Sequence, residues 1–279
     1  MPALLALLSS LAWGVADVAG GVATRRVGSP RTLALSYPAG ALAITLLALT
    51  IVPGVIDAPV VWISVYTAVT GTIAMVLLYA ALAIGPMGVV SPLTAVGGAA
   101  VPVVVGIVRG ESVTVLIVIG MVLAVIAVVL VSRESGPHAR VTLKGLLLSG
   151  GAGLFIGLYL VGLGIAPDDS GIWVAALSRW WSSIAMVTVA LVLILRRKAG
   201  SGARYPWLLA VSAGVLDASA NALFNLAAQG GELLVVAVIG SLYPAATIVL
   251  AHFVLHERMS RIQWSGVVLA LAAAVALTV

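Results

Sequence analysis

The sequence predicts an all-α integral membrane protein with ten transmembrane helices, arranged as two inverted five-helix repeats. Three observations lead to this fold class: an apolar composition, ten apolar runs of membrane-spanning length, and an internal repeat at a constant offset. Each of them is justified in turn below, before the residues that could carry a function.

The composition identifies lipid as the solvent for most of the chain. Of the 279 residues, 62% are hydrophobic and 8% are charged, and the mean hydropathy is +1.24. Soluble domains are about 45–50% apolar and about 25% charged. The formal net charge of +5 comes from basic residues scattered through short loops, which indicates topology signals and not a nucleic-acid-binding surface. Because cysteine is absent, disulfides, thiol catalysis and cysteine-bound metals are excluded.

The apolar runs define the predicted helices. A helix that crosses the hydrocarbon core needs about 20 mainly apolar residues, and continuous runs favour helices over a β-barrel, whose strands alternate. The first run lacks a basic leader and a cleavage site, so we expect it to be retained. The ten predicted spans are 3–24, 32–52, 60–84, 87–108, 113–132, 143–165, 171–195, 206–229, 232–254 and 261–279.

The second half of the chain repeats the first at an offset of 146 residues. The segment from Gly85 aligns without a gap with the segment from Gly231 (231 − 85 = 146), and Glu111 then falls on Glu257. Residues 1–136 would form the first repeat and residues 137–279 the second, with five spans each. Because five is odd, the second copy is expected to lie upside down relative to the first. Chance alignment of Val-, Ala- and Gly-rich helices is the alternative, and the two Glu-containing turns argue against it.

The basic residues predict an orientation. They are concentrated in the loops after the first, fifth, seventh and ninth spans, and the opposite face carries Arg109 as its single basic residue in the sequence. By the positive-inside rule the basic loops are cytoplasmic and both termini are non-cytoplasmic. We expect a multi-pass protein of the cell membrane (plasma or inner).

Several motifs recur at characteristic places in the spans. They are Trp13-Gly14 in the first span, Gly85-Pro86 before the fourth, Pro244 before Glu257 in the ninth, the Glu-x8-Gly hairpins Glu111–Gly120 and Glu257–Gly266, and Arg179 in the seventh. In order and spacing, over essentially the whole chain, they resemble the drug/metabolite transporter superfamily in its ten-helix EamA-type branch. The resemblance implies two EamA repeats around a central cavity, lined mainly by spans 1, 3, 4, 6, 8 and 9.

The chain departs from this family pattern in three ways. It has Ser36-Tyr37-Pro38 in the second span, where the family often has an Arg. Gly98 stands at the position that matches Pro244, with Pro102 nearby instead. The family is usually drawn with cytoplasmic termini, whereas the basic residues of this chain predict the opposite orientation.

Asp17 in the first span is a candidate substrate and proton site. It lies four residues after Trp13, so the two side chains share one face of the helix. A carboxylate at that depth costs about 2.5–3.5 kcal/mol on insertion scales, so it should face a cavity or a partner. The related small multidrug resistance proteins carry a first-helix carboxylate that binds protons and cations, in a context similar to Asp17-Val18-Ala19-Gly20. A helix cap or a structural hydrogen bond is the alternative.

The eighth span carries four polar residues at every fourth position, Asp217, Asn221, Asn225 and Gln229, which we call the polar stripe. A lipid-facing helix would not tolerate such a stripe, so we expect it to line the transport pathway. Asp217 is the best candidate for a protonation or cation site, and Asn221 and Asn225 would recognise polar groups of the substrate. Interhelical hydrogen bonding is the alternative, worth about 0.6 kcal/mol per bond.

Further candidates are an arginine, three aromatic residues and three prolines. Arg179 in the seventh span could pair with Asp217 or Asp17, meet an anionic substrate group, or extend to the interface. Stacking or cation–π contacts are expected from Trp13, Tyr79 and Tyr243, although packing would also explain them. The prolines that would interrupt spans 4 and 9 as gates are Pro92, Pro102 and Pro244.

Metal, cofactor and ATP sites are not predicted. His252 and His256 stand next to Glu257, but the order is not H-E-x-x-H and no third ligand is near in the sequence, so we expect no metal. The chain has no P-loop, so ATP does not drive the cycle directly. Glu111 and Glu257 are expected to shape hairpin turns.

Together these features predict a secondary active transporter that works by alternating access. Its substrate would be a small metabolite or drug, either an amino-acid-like zwitterion or an organic cation, with the proton as the candidate coupling ion. The expected partners are this substrate and the bilayer, not nucleic acid, and the chain would act as a monomer or homodimer. One alternative is a lipid or lipid-carrier translocator. The other is an intramembrane enzyme using Asp17 and Asp217, for which the Gly-x-Gly-Asp motif is missing; we therefore expect no enzymatic activity.

Overall fold

The structure is a computed structural model that describes residues 1–27, 29–84, 87–131, 142–196, 207–254 and 259–277. Within these ranges the backbone alone is described at 25–27, 29–30, 79, 82–84, 87–92, 193–196, 248, 251–252 and 254.

Across these ranges the chain folds into helices joined by short turns, which confirms the all-α prediction. The α-helices are α1 Pro2–Val27, α2 Ser29–Thr50, α3 Ala58–Ile84, α4 Met87–Val108, α5 Val115–Val131, α6 Leu143–Gly164, α7 Trp173–Arg196, α8 Trp207–Gly230, α9 Leu233–Gly240, α10 Tyr243–Val254 and α11 Arg261–Ala276. A short 3-10 turn, Asp168–Ser170, precedes α7. Each predicted span matches one helix, except that the ninth is divided into α9 and α10.

Six of the described helices are long and apolar enough to cross a membrane, namely α1, α2, α3, α6, α7 and α8. The shorter apolar helices include α5 with 17 residues, which covers about 25 Å at 1.5 Å per residue. The hydrocarbon core is about 30 Å thick. The chain is therefore a multi-pass helical membrane protein, and the crossing of the bilayer by all ten segments stays a prediction.

The helix boundaries follow the sequence repeat. Moving α4 by 146 residues gives 233–254, which are the outer bounds of α9 and α10. Packing partners also exchange between the halves: α1 packs on α8 and α3 on α6, while α4 packs on α6 and α9–α10 on α1. Each half thus completes its packing on the other half, although the inverted orientation of the two copies stays a prediction.

One end of the bundle is closed by contacts between its loops, and we call it the interlocked end. The loop before α3 bonds the loop before α7, through Val55 N donating to Asp169 O at 2.9 Å. The α4–α5 turn bonds the start of α9, where Leu234 N donates to Glu111 Oε2 at 2.8 Å. In return, Glu232 accepts from the hydroxyl of Ser112 at 2.9 Å. Glu111 therefore shapes more than its own turn, because it also caps a helix of the other half.

A glycine crossing brings α2 against α8. A Cβ atom added to Gly214 would lie 1.9 Å from Ser36 O, and one added to Gly40 would lie 2.4 Å from Gly214 O. The two backbones meet here as small residues allow in membrane helices. This crossing places Tyr37, the neighbour of Ser36, beside the residues that follow Gly214 on α8.

Candidate functional site

The centre of the site is an ion pair between α7 and α8. A guanidinium nitrogen of Arg179 contacts Asp217 Oδ2, and the two side chains are 10% and 32% exposed. The ring of Tyr37 on α2 lies below the guanidinium, with its centroid 4.7 Å from Arg179 Cζ. We call Arg179, Asp217 and Tyr37 the central cluster. Of the alternatives for Arg179, the structure shows pairing with Asp217 and excludes extension to the interface.

The two tryptophans that follow Arg179 fix α7 against the first half of the chain. Trp180 Nε1 donates to Thr45 Oγ1 on α2 at 2.9 Å. Trp181 Nε1 donates to Ser64 Oγ on α3 at 3.1 Å. Because these indole bonds hold the residues next to Arg179 against α2 and α3, they help to fix the position of the guanidinium.

Asp17 lies on the inner face of α1, and yet it is exposed. The lipid-facing stripe of α1 consists of the exposed residues Leu4, Leu8, Leu11 and Val15. At 3.6 residues per turn, Asp17 points about 150° away from the centre of that stripe. Since this side chain is exposed on the face that packs against α8 and α10, its exposure must come from a space inside the bundle.

Two contacts confirm the inward direction of Asp17. Thr247 Oγ1 on α10 lies 3.5 Å from Asp17 Oδ2, at the outer limit of a hydrogen bond. Asp217 on α8 is close enough to interact with Asp17 electrostatically. The structure therefore brings both predicted carboxylates to one region between α1, α8 and α10, as Gly14 allows by its close contact with Ala246.

Aromatic rings lie one helical turn from Asp17 and Thr247, towards the interlocked end. The ring of Trp13 packs edge-on against Tyr243, with centroids 6.4 Å apart, and against Phe224 at 5.7 Å. Phe224 is fully buried, whereas Trp13 and Tyr243 are partly exposed. The rings therefore separate the carboxylates from the interlocked end.

The polar stripe of α8 changes its surroundings along its length. Asn221 Nδ2 donates to Asp217 O at 2.8 Å and to Asp217 Oδ2 at 3.3 Å. Asn221 is therefore a direct neighbour of the central cluster. Exposure is lowest in the middle of the stripe, with 0% at Asn225 and 2% at Asn221, whereas the Asp217 side chain is 32% exposed and Gln229 is partly exposed. Of the stripe residues nearest the central cluster, Asp217 is therefore the more accessible, and the buried asparagines lie between it and the interlocked end.

Asn225 and Gln229 are hydrogen-bonded to the connection between α6 and α7. Asn225 Nδ2 donates to Leu163 O at 2.8 Å, a carbonyl that lacks its helical partner because residue 167 is a proline without an amide hydrogen. Gln229 Nε2 donates to Gly171 O at 2.8 Å. These bonds correspond to the structural alternative for this part of the stripe and place neither residue at the central cluster.

The ninth span is broken at Ser241 and Leu242, just before Pro244. Pro244 has no amide hydrogen to donate to the carbonyl of Gly240. At the break, Leu242 N instead donates to Ile239 O, three residues earlier, at 3.2 Å. The break lies next to the aromatic rings, because a Cβ atom on Gly240 would lie 3.3 Å from Phe224 and 3.5 Å from Trp13.

The matching helix of the first half is not broken. α4 is continuous from Met87 to Val108, so Pro92 and Pro102 do not interrupt it, and their role as gates stays a prediction. The backbone of α4 continues through both prolines because the bonds on either side of a missing amide still form. Pro102 is buried, and the side chains of Pro92 and Tyr79 lie outside the described residues.

The sequence of this chain is similar to that of a known protein family. A model of the EamA-like transporter family matches residues 1–133 and 143–279, once for each half. The chain belongs to this family. The resemblance inferred from the motifs is therefore confirmed, and the chain is a multi-pass membrane protein of a transporter family.

Solved structures support the same EamA-like fold. One crystal structure has a TM-score of 0.79 with 16% sequence identity, over 100% of this chain and 98% of the other. In all, 28 chains of solved structures match. No curated protein sequence matches this chain. At 16% identity the likeness concerns the fold alone, so the substrate has to be inferred from the residues of the site.

Several residues of this EamA-like site were not singled out in the sequence. Tyr37 contacts Arg179, Thr247 contacts Asp17, and Tyr159 on α6 is close enough to interact with Arg179 electrostatically. A polar-tipped aromatic residue in the middle of an apolar span was the available signal for Tyr37 and Tyr159. Such residues also occur as packing residues, so the sequence could not separate the two roles.

Metal ligation finds no support in the part of the EamA-like chain that the structure describes. Groups of three His, Cys, Asp or Glu side chains that could hold a metal ion are absent from it. The side chain of His252, together with His256 and Glu257, lies outside the described residues.

Proposed function

We propose that this chain is a secondary active transporter that moves a small polar metabolite or drug by alternating access. The single observation that carries the proposal is the position of Asp17 and Asp217, two exposed or partly exposed carboxylates brought together between α1, α8 and α10. Because the loops of the interlocked end are joined, we infer that both carboxylates are reached from the opposite end. A carboxylate in this position needs a water-filled space, because hydrocarbon would make it costly.

The proposal includes an inverted arrangement of the two halves and ten membrane-crossing segments. Supporting it are the shared helix boundaries at the 146-residue offset and the exchange of packing partners between the halves. The broken span α9–α10 resembles the discontinuous helices that form substrate sites in transporters. Trp13, Asp17, Arg179, Asp217, Asn221 and Tyr243 would form the substrate site, with Tyr79 and Asn225 as further candidates and Pro92, Pro102 and Pro244 as gating positions.

The proposed orientation follows from the charges of the two ends. The interlocked end carries Asp57, Glu111, Asp168, Asp169 and Glu232, whereas the described basic residues Arg31, Lys144 and Arg261 lie at the other end. By the positive-inside rule the accessible end faces the cytoplasm. The structure would then represent an inward-facing state, and the opposite state would require the contacts of the interlocked end to separate.

Proton coupling is part of the proposal and is assigned to Asp17 and Asp217. A proton and a cationic group of the substrate cannot both occupy the same carboxylate, so binding of one would release the other. Reconstituted protein in lightly buffered vesicles should therefore release protons when substrate is added. Binding of a cationic substrate without proton release would contradict coupling at these two residues.

The experiment that tests the proposed function begins with a ligand screen by thermal stabilisation, in which a bound compound raises the melting temperature. Wild type, Asp17→Asn and Asp217→Asn are compared, with the exposed loop residue Asp168→Asn as the matched control. Compounds that stabilise the wild type are then tested for counterflow in proteoliposomes. We expect Asp168→Asn to behave as wild type, and both central variants to lose flux at normal membrane levels. Unchanged flux in Asp217→Asn would remove the central cluster from the mechanism.

The alternative of a lipid translocator has one structural feature to consider. An open groove of about 540 Å³ lies between α5 and α11, lined by Leu116, Leu271, Ala272, Val275 and Ala276. These side chains are all apolar, so the groove could accept an acyl chain but offers nothing for a polar headgroup. A polar substrate in the central site is therefore the function we propose, and we expect no enzymatic activity.

A further inference from the structure

The charges of the central site do not balance. Among the described residues it contains two carboxylates, Asp17 and Asp217, and one guanidinium, Arg179. Arg179 is already paired with Asp217 and lies over the ring of Tyr37, and its side chain is 10% exposed. Asp17 forms no ion pair within the described part of the chain. With both carboxylates ionised the site has a net charge of −1 (+1 − 2), and the unbalanced charge is on its most exposed member.

The hydrogen-bonding groups in and beside the site also favour a positively charged ligand, because acceptor oxygens of the described residues remain unpaired there. The amide nitrogen of Asn221 is used by Asp217, and that of Asn225 by Leu163 O. Their Oδ1 atoms are buried and have no hydrogen-bond partner among the described residues. Turning either amide over would bring its oxygen against another oxygen, so both orientations are fixed. Because Asn221 is bonded to Asp217, the partial negative charge of its oxygen adds to the negative potential of the site.

The neighbours of Asp17 suit the apolar body of a ligand. The partly exposed rings of Trp13 and Tyr243 lie one helical turn below the carboxylate and meet edge to face. A carboxylate above aromatic faces is the arrangement that attracts an ammonium group through both charge and the ring quadrupole. The hydroxyl of Thr247 is the single polar side chain that contacts Asp17 in the described residues.

A zwitterion or an anion fits this site poorly. Its carboxylate would need a free cation, but the positive charge of Arg179 is neutralised by Asp217 on one side and covered by Tyr37 on the other. Bringing a third carboxylate to this region would place it beside Asp17 and Asp217, where like charges repel.

We propose that the ligand of this site is an organic monocation with an N–H-bearing ammonium group and an aromatic or branched apolar body, bound through Asp17 against Trp13 and Tyr243. The assignment narrows the substrate class of the proposed transporter and rests on that proposed function for its physiological meaning. Binding itself can be measured independently of transport.

The test uses four probes with one skeleton and different charges: phenethylamine (cation), L-phenylalanine (zwitterion), 3-phenylpropionate (anion) and 2-phenylethanol (neutral). Affinities are measured by thermal stabilisation and by calorimetry on the full chain in nanodiscs. We expect phenethylamine to bind at least tenfold more tightly than each of the other three. Asp17→Asn should weaken phenethylamine binding at least tenfold and leave 2-phenylethanol unchanged, while the exposed control Asp168→Asn should change neither.

Each outcome decides between the two proposals. Equal or tighter binding of phenylalanine or phenylpropionate, phenethylamine binding that is indifferent to Asp17→Asn, or absence of binding by all four probes would overturn the cation assignment. Counterflow of the same probes in proteoliposomes is recorded separately. Asp17-dependent binding of phenethylamine without counterflow of any probe would keep the cation site and refute transport, whereas counterflow of phenylalanine alone would keep transport and refute the cation site.

Discussion

Replacing Asp217 by Asn removes the negative partner of a guanidinium that has little water to replace it. The Arg179 side chain is 10% exposed and keeps Tyr37 as a neighbour, while the Asp217 side chain is 32% exposed. Breaking a buried ion pair by removing one partner costs about 3–5 kcal/mol. Because Asp217 is partly solvated and Tyr37 remains, we expect a loss at or just below the lower end of this range, about 2–3 kcal/mol for Asp217→Asn.

The reverse substitution should be milder. Arg179→Gln leaves Asp217 without its cation, but this carboxylate is partly exposed and can be hydrated, so we expect about 1–2 kcal/mol. The double variant removes both charges and should cost about 2 kcal/mol, less than the sum of the single variants. The resulting coupling energy of about 2 kcal/mol lies within the range found for residues in direct contact.

The assay is a double-mutant cycle on purified protein in nanodiscs, followed by tryptophan fluorescence during heating. For a chain of this size each kcal/mol corresponds to about 2–4 °C, so Asp217→Asn should lower the melting temperature by roughly 4–12 °C. Asp168→Asn serves as the control for removing an exposed carboxylate. If the effects of the two single variants added within about 0.5 kcal/mol, the pair would be uncoupled and the reasoning about the central cluster would be refuted.

Three further predictions concern the scaffold. Asn225→Ala should cost about 1–3 kcal/mol because it leaves the carbonyl of Leu163 buried without a donor; a melting temperature equal to wild type would show that another group satisfies it. Gly214→Ala should prevent folding, because its Cβ atom would lie 1.9 Å from a backbone oxygen of α2; the measurement is the yield of monodisperse protein. The control is Gly150→Ala, whose Cβ atom would have no neighbour within 4 Å, and it should be neutral or stabilising by up to about 1 kcal/mol. Glu111→Ala should cost about 1–2 kcal/mol of stability, because it removes the acceptor for the first turn of α9. Glu111→Gln keeps an acceptor and should lose less. Identical melting curves for Glu111→Ala and wild type would contradict this prediction.

The helices could be predicted closely from the sequence because the membrane fixes their length and composition. A span must be apolar over about 20 residues, so its ends are marked by charges, prolines and glycines. The predicted span 87–108 has the same bounds as α4, and 143–165 ends one residue after α6. The break in the ninth span could not be predicted from proline alone. Pro244 removes a backbone donor at the break, but α2 and α4 continue through Pro38, Pro92 and Pro102.

Partners across the bundle could not be predicted in the same way. Arg179 had two carboxylates available in the sequence, and the choice of Asp217 depends on how α2, α7 and α8 meet at the Gly40–Gly214 crossing. The bond from Asn225 to Leu163 O likewise requires α6 and α8 to be neighbours at one depth. The sequence contained half of this information, since a proline four residues after Leu163 leaves that carbonyl without its helical donor.

The polar stripe shows why equal spacing does not imply an equal role. Four residues advance a helix by about 400°, so each step turns the stripe by about 40° and the whole stripe from Asp217 to Gln229 by about 120°. Its first member therefore faces Arg179, whereas its last faces the loop before α7, with Asn225 between them. The same sequence pattern thus provides a partly exposed carboxylate at Asp217 and hydrogen bonds to the α6–α7 region at Asn225 and Gln229. Substitutions at Asp217 should consequently alter ligand selectivity, and those at Gln229 should act through the stability of the interlocked end.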